Sequence, residues 1–315
     1  MTEYTTTRAN ELVDPIVHVW GWEIPVYLFL GGLVAGMMVV SGYLLFSGRW
    51  RNTRSACYVL PGLSLVLLTL GMGALFLDLE HKPYFWRLYT TFEPLSPMSW
   101  GSWILLLVYP ALLANLLLRL PPVLAGRLPR LAALSGRLAG EPVALRWIGA
   151  MNMLWGGLLG IYTGVLLSSL GARPLWNSAL LGPLFLVSGL SAAAAFVHLI
   201  APDRAERELL AKADNGFLVA ELVFLGLFLA GLLAASEAHA RAAGLLLSGP
   251  YAALFWVGVV GLGILLPLLV QLLAVSHRVA HTPVAPLLVI AGGLLLRFVV
   301  VQAGQLSHWA HFANR

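Results

Sequence analysis

The fold is decided by residues 22–46, WEIPVYLFLGGLVAGMMVVSGYLLF, a stretch in which Glu23 is the only charged residue. An α-helix rises 1.5 Å per residue, so about 20 apolar residues cross the hydrocarbon core of a bilayer. Further apolar stretches of this length occur at about 56–78, 99–119, 146–170, 178–201, 216–236, 250–275 and 284–304. The pattern therefore predicts an all-α integral membrane protein with about eight transmembrane helices, since lipid offers the backbone no hydrogen-bond partners.

The composition excludes a soluble protein. Hydrophobic residues make up 59% of the 315 residues and charged residues only 10%, against roughly 25% charged residues in an average soluble domain. The net charge of +5 does not indicate nucleic-acid binding, because the chain has only two lysines, Lys82 and Lys212, and its arginines occupy short loops between apolar stretches. Basic residues in short loops are typical of the positive-inside pattern of membrane proteins.

The loops also predict an orientation. Twelve basic residues fall in the loops between helices 1 and 2, 3 and 4, 5 and 6, and 7 and 8, and six fall on the other side with the two termini. This bias predicts that both termini lie outside the cytoplasm. The predicted segments are an outer N-terminal segment (1–21), helices 1–3 with an aromatic outer loop at 79–98 (22–119), a basic inner loop (120–145), helices 4–8 (146–304) and an outer C-terminal tail (305–315).

Polar residues within the spans are candidates for function, because ionisable groups in lipid are costly. On the outer side they come from four helices: Glu23, Tyr27, Asp78, Glu80, His81, Tyr162, Arg297, Gln302, Gln305, His308 and His311. Tyr162 and Arg297 are predicted roughly 10–12 Å below the outer helix ends. Such a set suits a half-buried pocket for an amphipathic ligand, although snorkelling toward the headgroups equally explains the residues at helix ends.

The inner half holds His198 in the fifth span and Glu221 in the sixth. Consecutive helices with a short connection are usually antiparallel neighbours, so the two side chains can face each other. They are predicted either to pass protons toward the outer pocket or to form a hydrogen-bonded pair near the interface.

Metal cofactors are not expected in this chain. The single Cys57 excludes internal disulfides and an iron–sulfur cluster held by this chain alone. A transmembrane haem needs two facing histidines, and only His198 lies clearly within a span. The first 20 residues lack the basic region of a cleavable signal, so the first span is predicted to be a retained anchor.

The segment after the second span, residues 76–103, reads FLDLEHKPYFWRLYTTFEPLSPMSWGSW. Its aromatic residues alternate with basic and hydroxyl residues, as in a short helix at the membrane interface, and Pro94 and Pro97 precede the third span. An ordinary aromatic belt explains this composition but not its order.

This order resembles the hallmark of the NrfD/PsrC family, the integral membrane subunits of polysulfide-reductase-like enzymes. Two further stretches are similar to the family: WGWEIPVYLFLGGLVAG (20–36) in the first helix and YTGVLLSSLGARPLWN (162–177) in the fourth helix and its loop. The resemblance implies eight helices in two four-helix bundles. It also implies a menaquinone or ubiquinone site near the outer surface of a bacterial or archaeal cytoplasmic membrane.

The resemblance further implies partners. Electrons would pass between the quinone and an iron–sulfur subunit docked on the outer face, which serves a molybdopterin-type or multihaem catalytic subunit. The family's quinone-contacting tyrosine maps onto Tyr162. Positions of the first helix that are Asn and His in one branch are Ile24 and Tyr27 here, so Glu23 is predicted to replace them as the polar partner. The family's acidic position at the end of the second helix maps onto Asp78 or Glu80.

The sequence therefore predicts a quinone site formed by Tyr162, Glu23, Tyr27, Asp78, Glu80 and His81. The chain alone would have no redox activity, because it supplies no metal centre. Two alternatives remain: a proton-translocating or transporter-like module using Glu221, His198 and Arg297, and a purely structural membrane anchor. The residues specify neither the terminal substrate nor the direction of electron flow.

Overall fold

The computed structural model describes residues 20–120, 122–276 and 282–309, and within these ranges the protein is helical with no β-strand. The helices in chain order are α1 (Glu23–Phe46), α2 (Arg54–Tyr58), α3 (Leu60–Asp78), α4 (Arg87–Thr90), α5 (Pro97–Leu118), α6 (Pro122–Arg127), α7 (Pro129–Gly140), α8 (Pro142–Ser168), α9 (Leu181–Ile200), α10 (Arg204–Ala235), α11 (Glu237–Leu247), a π-helical segment (Leu254–Leu265) that continues into α12 (Leu266–Val275), and α13 (Val284–Leu306).

Eight of the described helices are long and apolar enough to cross a membrane: α1, α3, α5, α8, α9, α10, the π-helical segment with α12, and α13. The all-α fold with eight spans is thus confirmed. The largest difference from the sequence prediction is α10, which begins at Arg204 instead of residue 216. The Asp203 side chain caps the helix by accepting the Ala205 N–H at 3.2 Å, and a Glu208–Lys212 pair at 2.9 Å supports its polar first turns.

The spans pack as two groups of four. The first group contains α1, α3, α5 and α8, and the second contains α9, α10, α12 with its π-helical segment, and α13. Helices α1 and α8 pack on α9 and join the two groups. At Gly36 of α1 a side chain would overlap the backbone carbonyl of Gly189 in α9, so glycine permits the close helix approach typical of membrane bundles.

Both described ends lie on one face of the bundle, called here the terminal face. The Trp20 N–H donates to Gln305 Oε1 at 3.1 Å, and the Trp20 ring stacks on Trp176 at 5.2 Å. The Trp309 indole N–H donates to the Gly171 carbonyl at 2.8 Å. The loop between α3 and α5 lies on this face, because α1 starts there and α3 runs back to it.

Candidate functional site

A cavity of about 230 Å³ opens between α1, α3, α5 and α8 near the terminal face. Its walls are mainly apolar, with Ile24, Leu75 and Leu105 among them. The polar side chains that reach it include Tyr27, Asp78, Tyr89, Ser102 and Tyr162. An apolar cavity with a few convergent polar groups is the usual form of a small-molecule site.

Tyr162 reaches the cavity from α8 and is 6% exposed. Its phenol ring and hydroxyl lie directly against Gly101 of α5, where a Cβ atom would overlap both the ring and the hydroxyl oxygen. Gly101 is the glycine of the SPMSWGSW stretch, so the glycine in that stretch makes room for the tyrosine.

Tyr27 enters the same cavity from α1 and is 2% exposed. Tyr89 lines the cavity together with Tyr27 and Tyr162. Among the described residues, neither the Tyr27 nor the Tyr162 hydroxyl has a hydrogen-bond partner. Buried hydroxyls normally have partners, so these two are available to a polar group of a ligand.

Tyr89 covers the cavity from α4, together with Leu88. Burial raises the pKa of Tyr89, so its phenol remains neutral at physiological pH. Helix α5 anchors this loop: the Ser102 hydroxyl donates to the Leu88 carbonyl at 2.7 Å, and the Trp100 indole N–H donates to the Pro94 carbonyl at 2.7 Å. The order of residues in the loop thus builds a lid over the cavity, which an aromatic belt does not require.

Three of the six residues predicted for the quinone site line this cavity, namely Tyr27, Asp78 and Tyr162. Asp78 is the last residue of α3, after which the chain turns into extended backbone at Leu79. Glu23, the first residue of α1, interacts electrostatically with Asp78 but does not line the cavity.

The other two predicted residues lie farther out. Glu80 and His81 are exposed, because the chain leaves α3 two residues before them. His81 borders a separate, shallow depression formed by the loop itself. The sequence did not identify Tyr89, Gly101 and Ser102 as site residues, although they belong to the stretch that carries the family resemblance.

A larger groove of about 440 Å³ lies beside the cavity on α5 and α8, and its walls include Phe92, Trp103 and Trp155. Every residue that lines it is apolar or aromatic, and no polar atom faces its interior. It can accommodate a hydrocarbon chain, but it cannot orient a polar head group.

Arg297 does not line the cavity. Its guanidinium is fully buried between α1, α9 and α13, where it donates to the Ser188 hydroxyl at 2.6 Å and to the Gly293 and Phe185 carbonyls at 2.8 Å each. A side chain on Gly32 of α1 would come within 3.0 Å of Arg297 Nη2. Glycine at position 32 thus admits the guanidinium next to α1.

The carboxylate of Glu221 lies near this guanidinium. Glu221 is 4% exposed, lies within hydrogen-bonding reach of Ser188 and interacts electrostatically with Arg297. The sequence predicts that Glu221 and His198 can face each other, but none of the interactions described for Glu221 involves that histidine. His198 instead lines a separate cavity of about 180 Å³ together with Arg207.

A second buried carboxylate, Asp214 of α10, was not selected from the sequence. It is 0% exposed and accepts hydrogen bonds from the Ser191 hydroxyl at 2.6 Å and the Gln271 amide at 2.7 Å. Its spacing of seven residues from Glu221 places both on one face of α10. That spacing in the sequence could have indicated Asp214 as a second carboxylate on the same helix face as Glu221. The neighbouring charges at 204–212 instead made the segment resemble a loop.

The polar residues at the end of α13 contact the first and last described residues. Gln302 and Gln305 donate to the Trp20 carbonyl at 3.4 and 3.0 Å. The buried Arg173 donates to the Ser307 carbonyl at 3.1 Å, and its Nη1 lies 2.9 Å from His308 Nδ1. These residues therefore have structural partners, and His311, like His277 and His281, lies outside the described residues.

Comparisons with known proteins identify relatives along nearly the whole sequence. The model of the family described as polysulphide reductase, NrfD matches residues 9–308. The protein is 31% identical to the C chain of polysulfide reductase from Wolinella succinogenes, over 91% of this sequence and 94% of that protein. It is 31% identical to protein NrfD of Escherichia coli, over 92% of this sequence and 96% of that protein. It is 28% identical to the NrfD homolog of Haemophilus influenzae, over 92% of this sequence and 95% of that protein. With its eight apolar helices, the chain is a multi-pass protein of the bacterial cytoplasmic membrane and belongs to the NrfD family.

Proposed function

We propose that this chain binds a quinol or quinone in the cavity beneath α4 and exchanges electrons with an iron–sulfur subunit on the terminal face. The observation that carries this proposal is the pair of buried hydroxyls of Tyr27 and Tyr162, which meet in an apolar cavity beside Asp78 and have no partner among the described residues. Membrane subunits of the family are components of respiratory oxidoreductase complexes, which supports a role in electron transfer.

The chemistry follows from the polar groups. A quinol presents two hydroxyl groups, and a quinone presents two carbonyl oxygens. The neutral phenol of Tyr162 can donate to a quinone oxygen and can accept from a quinol hydroxyl. Oxidation of a quinol releases two electrons and two protons, and the Asp78 carboxylate lies where it can accept one of these protons. The same groups serve quinone reduction when the electrons run in the opposite direction.

The cavity volume of about 230 Å³ suits a quinone ring rather than a whole lipid-tailed molecule. Its apolar walls are formed by α3, α5 and α8, which also face lipid, so an isoprenoid tail can leave between the helices. Menaquinone and ubiquinone both meet this description.

The proposed partners lie on the terminal face. The basic residues concentrate in loops of the opposite face, which supports a terminal face that lies outside the cytoplasm. The Wolinella succinogenes relative is named as one chain of polysulfide reductase, so that protein is part of a larger enzyme. By analogy, an iron–sulfur subunit would take the electrons from the cavity and serve a molybdopterin-type or multihaem catalytic subunit.

The Tyr162→Phe variant of the intact complex tests the proposal. Loss of one hydrogen bond to the bound head group costs about 1 kcal/mol, which corresponds to roughly a fivefold fall in kcat/KM for quinol. Assembly with the partner subunits should be unchanged, because the phenol has no partner within the described residues. The matched control is Tyr43→Phe, a lipid-facing tyrosine that is 46% exposed on α1. Equal quinol kinetics in both variants would show that Tyr162 does not contact the quinol.

A second candidate function is proton translocation coupled to quinol turnover. It is favoured by the buried group of Glu221, Ser188 and Arg297, since a fully buried arginine beside a carboxylate has little reason to be retained in a passive anchor. In liposomes that contain the complex, quinol turnover should then generate a membrane potential that Glu221→Gln abolishes. A potential of equal size in the variant would leave quinol oxidation as the only function.

A further inference from the structure

The strongest unassigned feature is the carboxylate of Asp214, which lies between α9, α10 and α12. Ser191 donates to its Oδ1 at 2.6 Å, and the Gln271 amide donates to its Oδ2 at 2.7 Å. Asp214 and Ser191 are 0% exposed and Gln271 is 1% exposed. The carboxylate is therefore sealed from solvent and held by two neutral donors.

No described cation compensates the charge of this carboxylate. The nearby Lys212 is paired with Glu208 at 2.9 Å on the exposed side of α10. The charged group that acts electrostatically on Asp214 is Glu221, which has the same sign and lies seven residues, about 10.5 Å, farther along α10. On α9, His198 lies at a similar distance from Ser191 along the helix. A buried carboxylate without a counter-ion is costly, and two neutral hydrogen bonds offset only part of that cost.

The Gln271 side chain offers a partner for a protonated carboxyl group as well. Its Oε1 atom is buried and has no hydrogen-bond partner while Nε2 donates to Asp214. A half-turn of the amide places Oε1 where Nε2 now lies, and an amide oxygen is the acceptor that a carboxylic acid O–H requires. One amide orientation therefore fits the charged state of Asp214, and the other fits the neutral state.

We propose that Asp214 is a proton-binding site in the second helix group, and that the Gln271 amide turns over as the proton binds and leaves. Binding adds one proton to Oδ2 and forms a carboxylic acid whose O–H donates to Gln271 Oε1. Release restores the carboxylate, and no electrons are exchanged. The place of this site in a relay with Glu221 rests on the proton-translocation function proposed above, whereas proton binding at Asp214 does not depend on the quinol cavity.

Infrared spectroscopy of the purified complex tests the proposal, because a protonated carboxyl group has a carbonyl band that a carboxylate lacks. At neutral pH the wild-type complex should show such a band, and Asp214→Asn should abolish it. The matched control is Glu206→Gln, since Glu206 is also a buried carboxylate on α10 but accepts the backbone N–H groups of Ser55 and Ala56 at 3.2 and 2.8 Å. That variant should retain the band. A spectrum unchanged by Asp214→Asn would refute the proposal.

Gln271→Leu provides a second measurement if the Asp214 variant fails to assemble. Loss of the amide acceptor should shift the carbonyl band to higher wavenumber, and an unshifted band would contradict the amide reorientation. A third measurement asks whether the site binds sodium instead of a proton. If NaCl raises the thermal midpoint of the wild type but not of Asp214→Asn, and choline chloride raises neither, the site binds a metal cation and the proposal is wrong. The band should persist in Tyr162→Phe, so failure of the quinol site and failure of the Asp214 site are distinguishable.

Discussion

The contact between Gly101 and Tyr162 allows the cavity to be perturbed by a single methyl group. In Gly101→Ala the added Cβ would occupy the position of the Tyr162 phenol ring, whereas an ordinary contact needs 3.4–4 Å. The phenol must therefore move by more than about 1 Å, and a displacement of that size costs on the order of 100-fold in rate at a reacting centre. We expect kcat/KM for quinol oxidation to fall by 10- to 100-fold, more than in Tyr162→Phe, because the displaced ring also enters the cavity.

The assay is quinol oxidation by the intact complex in membranes, normalised to the amount of assembled complex. Added bulk in a packed interior destabilises by about 1–3 kcal/mol, so the yield of complex is measured in parallel. Gly157→Ala is the matched control, since Gly157 lies on the same helix as Tyr162 and a Cβ there meets no atom within 4 Å. Wild-type quinol kinetics in Gly101→Ala would refute the role of the cavity.

Three further predictions concern helix packing, the buried cation and proton transfer. Gly36→Ala should destabilise the complex by about 1–3 kcal/mol, because its Cβ would overlap the Gly189 carbonyl; the thermal midpoint measures this effect. Arg297→Met should destabilise by about 3–5 kcal/mol, since it leaves Glu221 buried without a cation, and adding Glu221→Gln should restore part of the thermal midpoint. Asp78→Asn should lower kcat for quinol oxidation by roughly 100-fold while the complex still assembles.

Each of these predictions has a control within the protein. Gly73→Ala adds a methyl group where nothing lies within 4 Å, and a midpoint as low as that of Gly36→Ala would contradict the packing argument. Arg241→Met removes a partly exposed arginine, whose pair with Glu237 at 2.9 Å is worth about 0.5 kcal/mol or less. If Arg297→Met lowers the thermal midpoint no more than Arg241→Met does, burial of the guanidinium does not matter. Glu80→Gln changes an exposed carboxylate outside the cavity. If it lowers kcat as much as Asp78→Asn does, the assignment of the proton acceptor to Asp78 in the cavity is wrong.

The eight spans follow from the sequence because apolar length alone determines which helices can cross a bilayer. The start of α10 could not be placed from that rule, since six of the twelve residues at 204–215 are charged. In the structure, helix capping by Asp203 and the Glu208–Lys212 pair extend the helix through these residues. Local polar interactions, rather than hydrophobicity, therefore define its first turns.

The cavity was predictable only in part. The position of Tyr162 and Asp78 on the outer side of the spans indicated a common site, but whether Asp78, Glu80 or His81 faces it depends on where α3 ends. Rotation of the helices determines that Arg297 faces Ser188 instead of the cavity. The role of Gly101 depends on a contact between α5 and α8, which hydrophobic periodicity does not encode.

Asp214 could not be recognised from its predicted depth in the membrane. It lies in a segment with other charged residues, and its burial results from packing against α9 and α12, which are distant in sequence. The seven-residue spacing from Glu221 places the two carboxylates on one helix face, but only the tertiary contacts distinguish a buried face from an exposed one.

The central claim is that the quinone head group occupies the cavity between Tyr27, Asp78 and Tyr162. The most direct test is photolabelling of the intact complex with an azidoquinone whose reactive group is on the ring, followed by mass spectrometry of the labelled peptides. The structure predicts labels on α1, α4 and α8 at residues that line the cavity, and competition by excess unlabelled quinol. Labels confined to the apolar groove beside Phe92, Trp103 and Trp155, or labels that excess quinol does not displace, would contradict the claim.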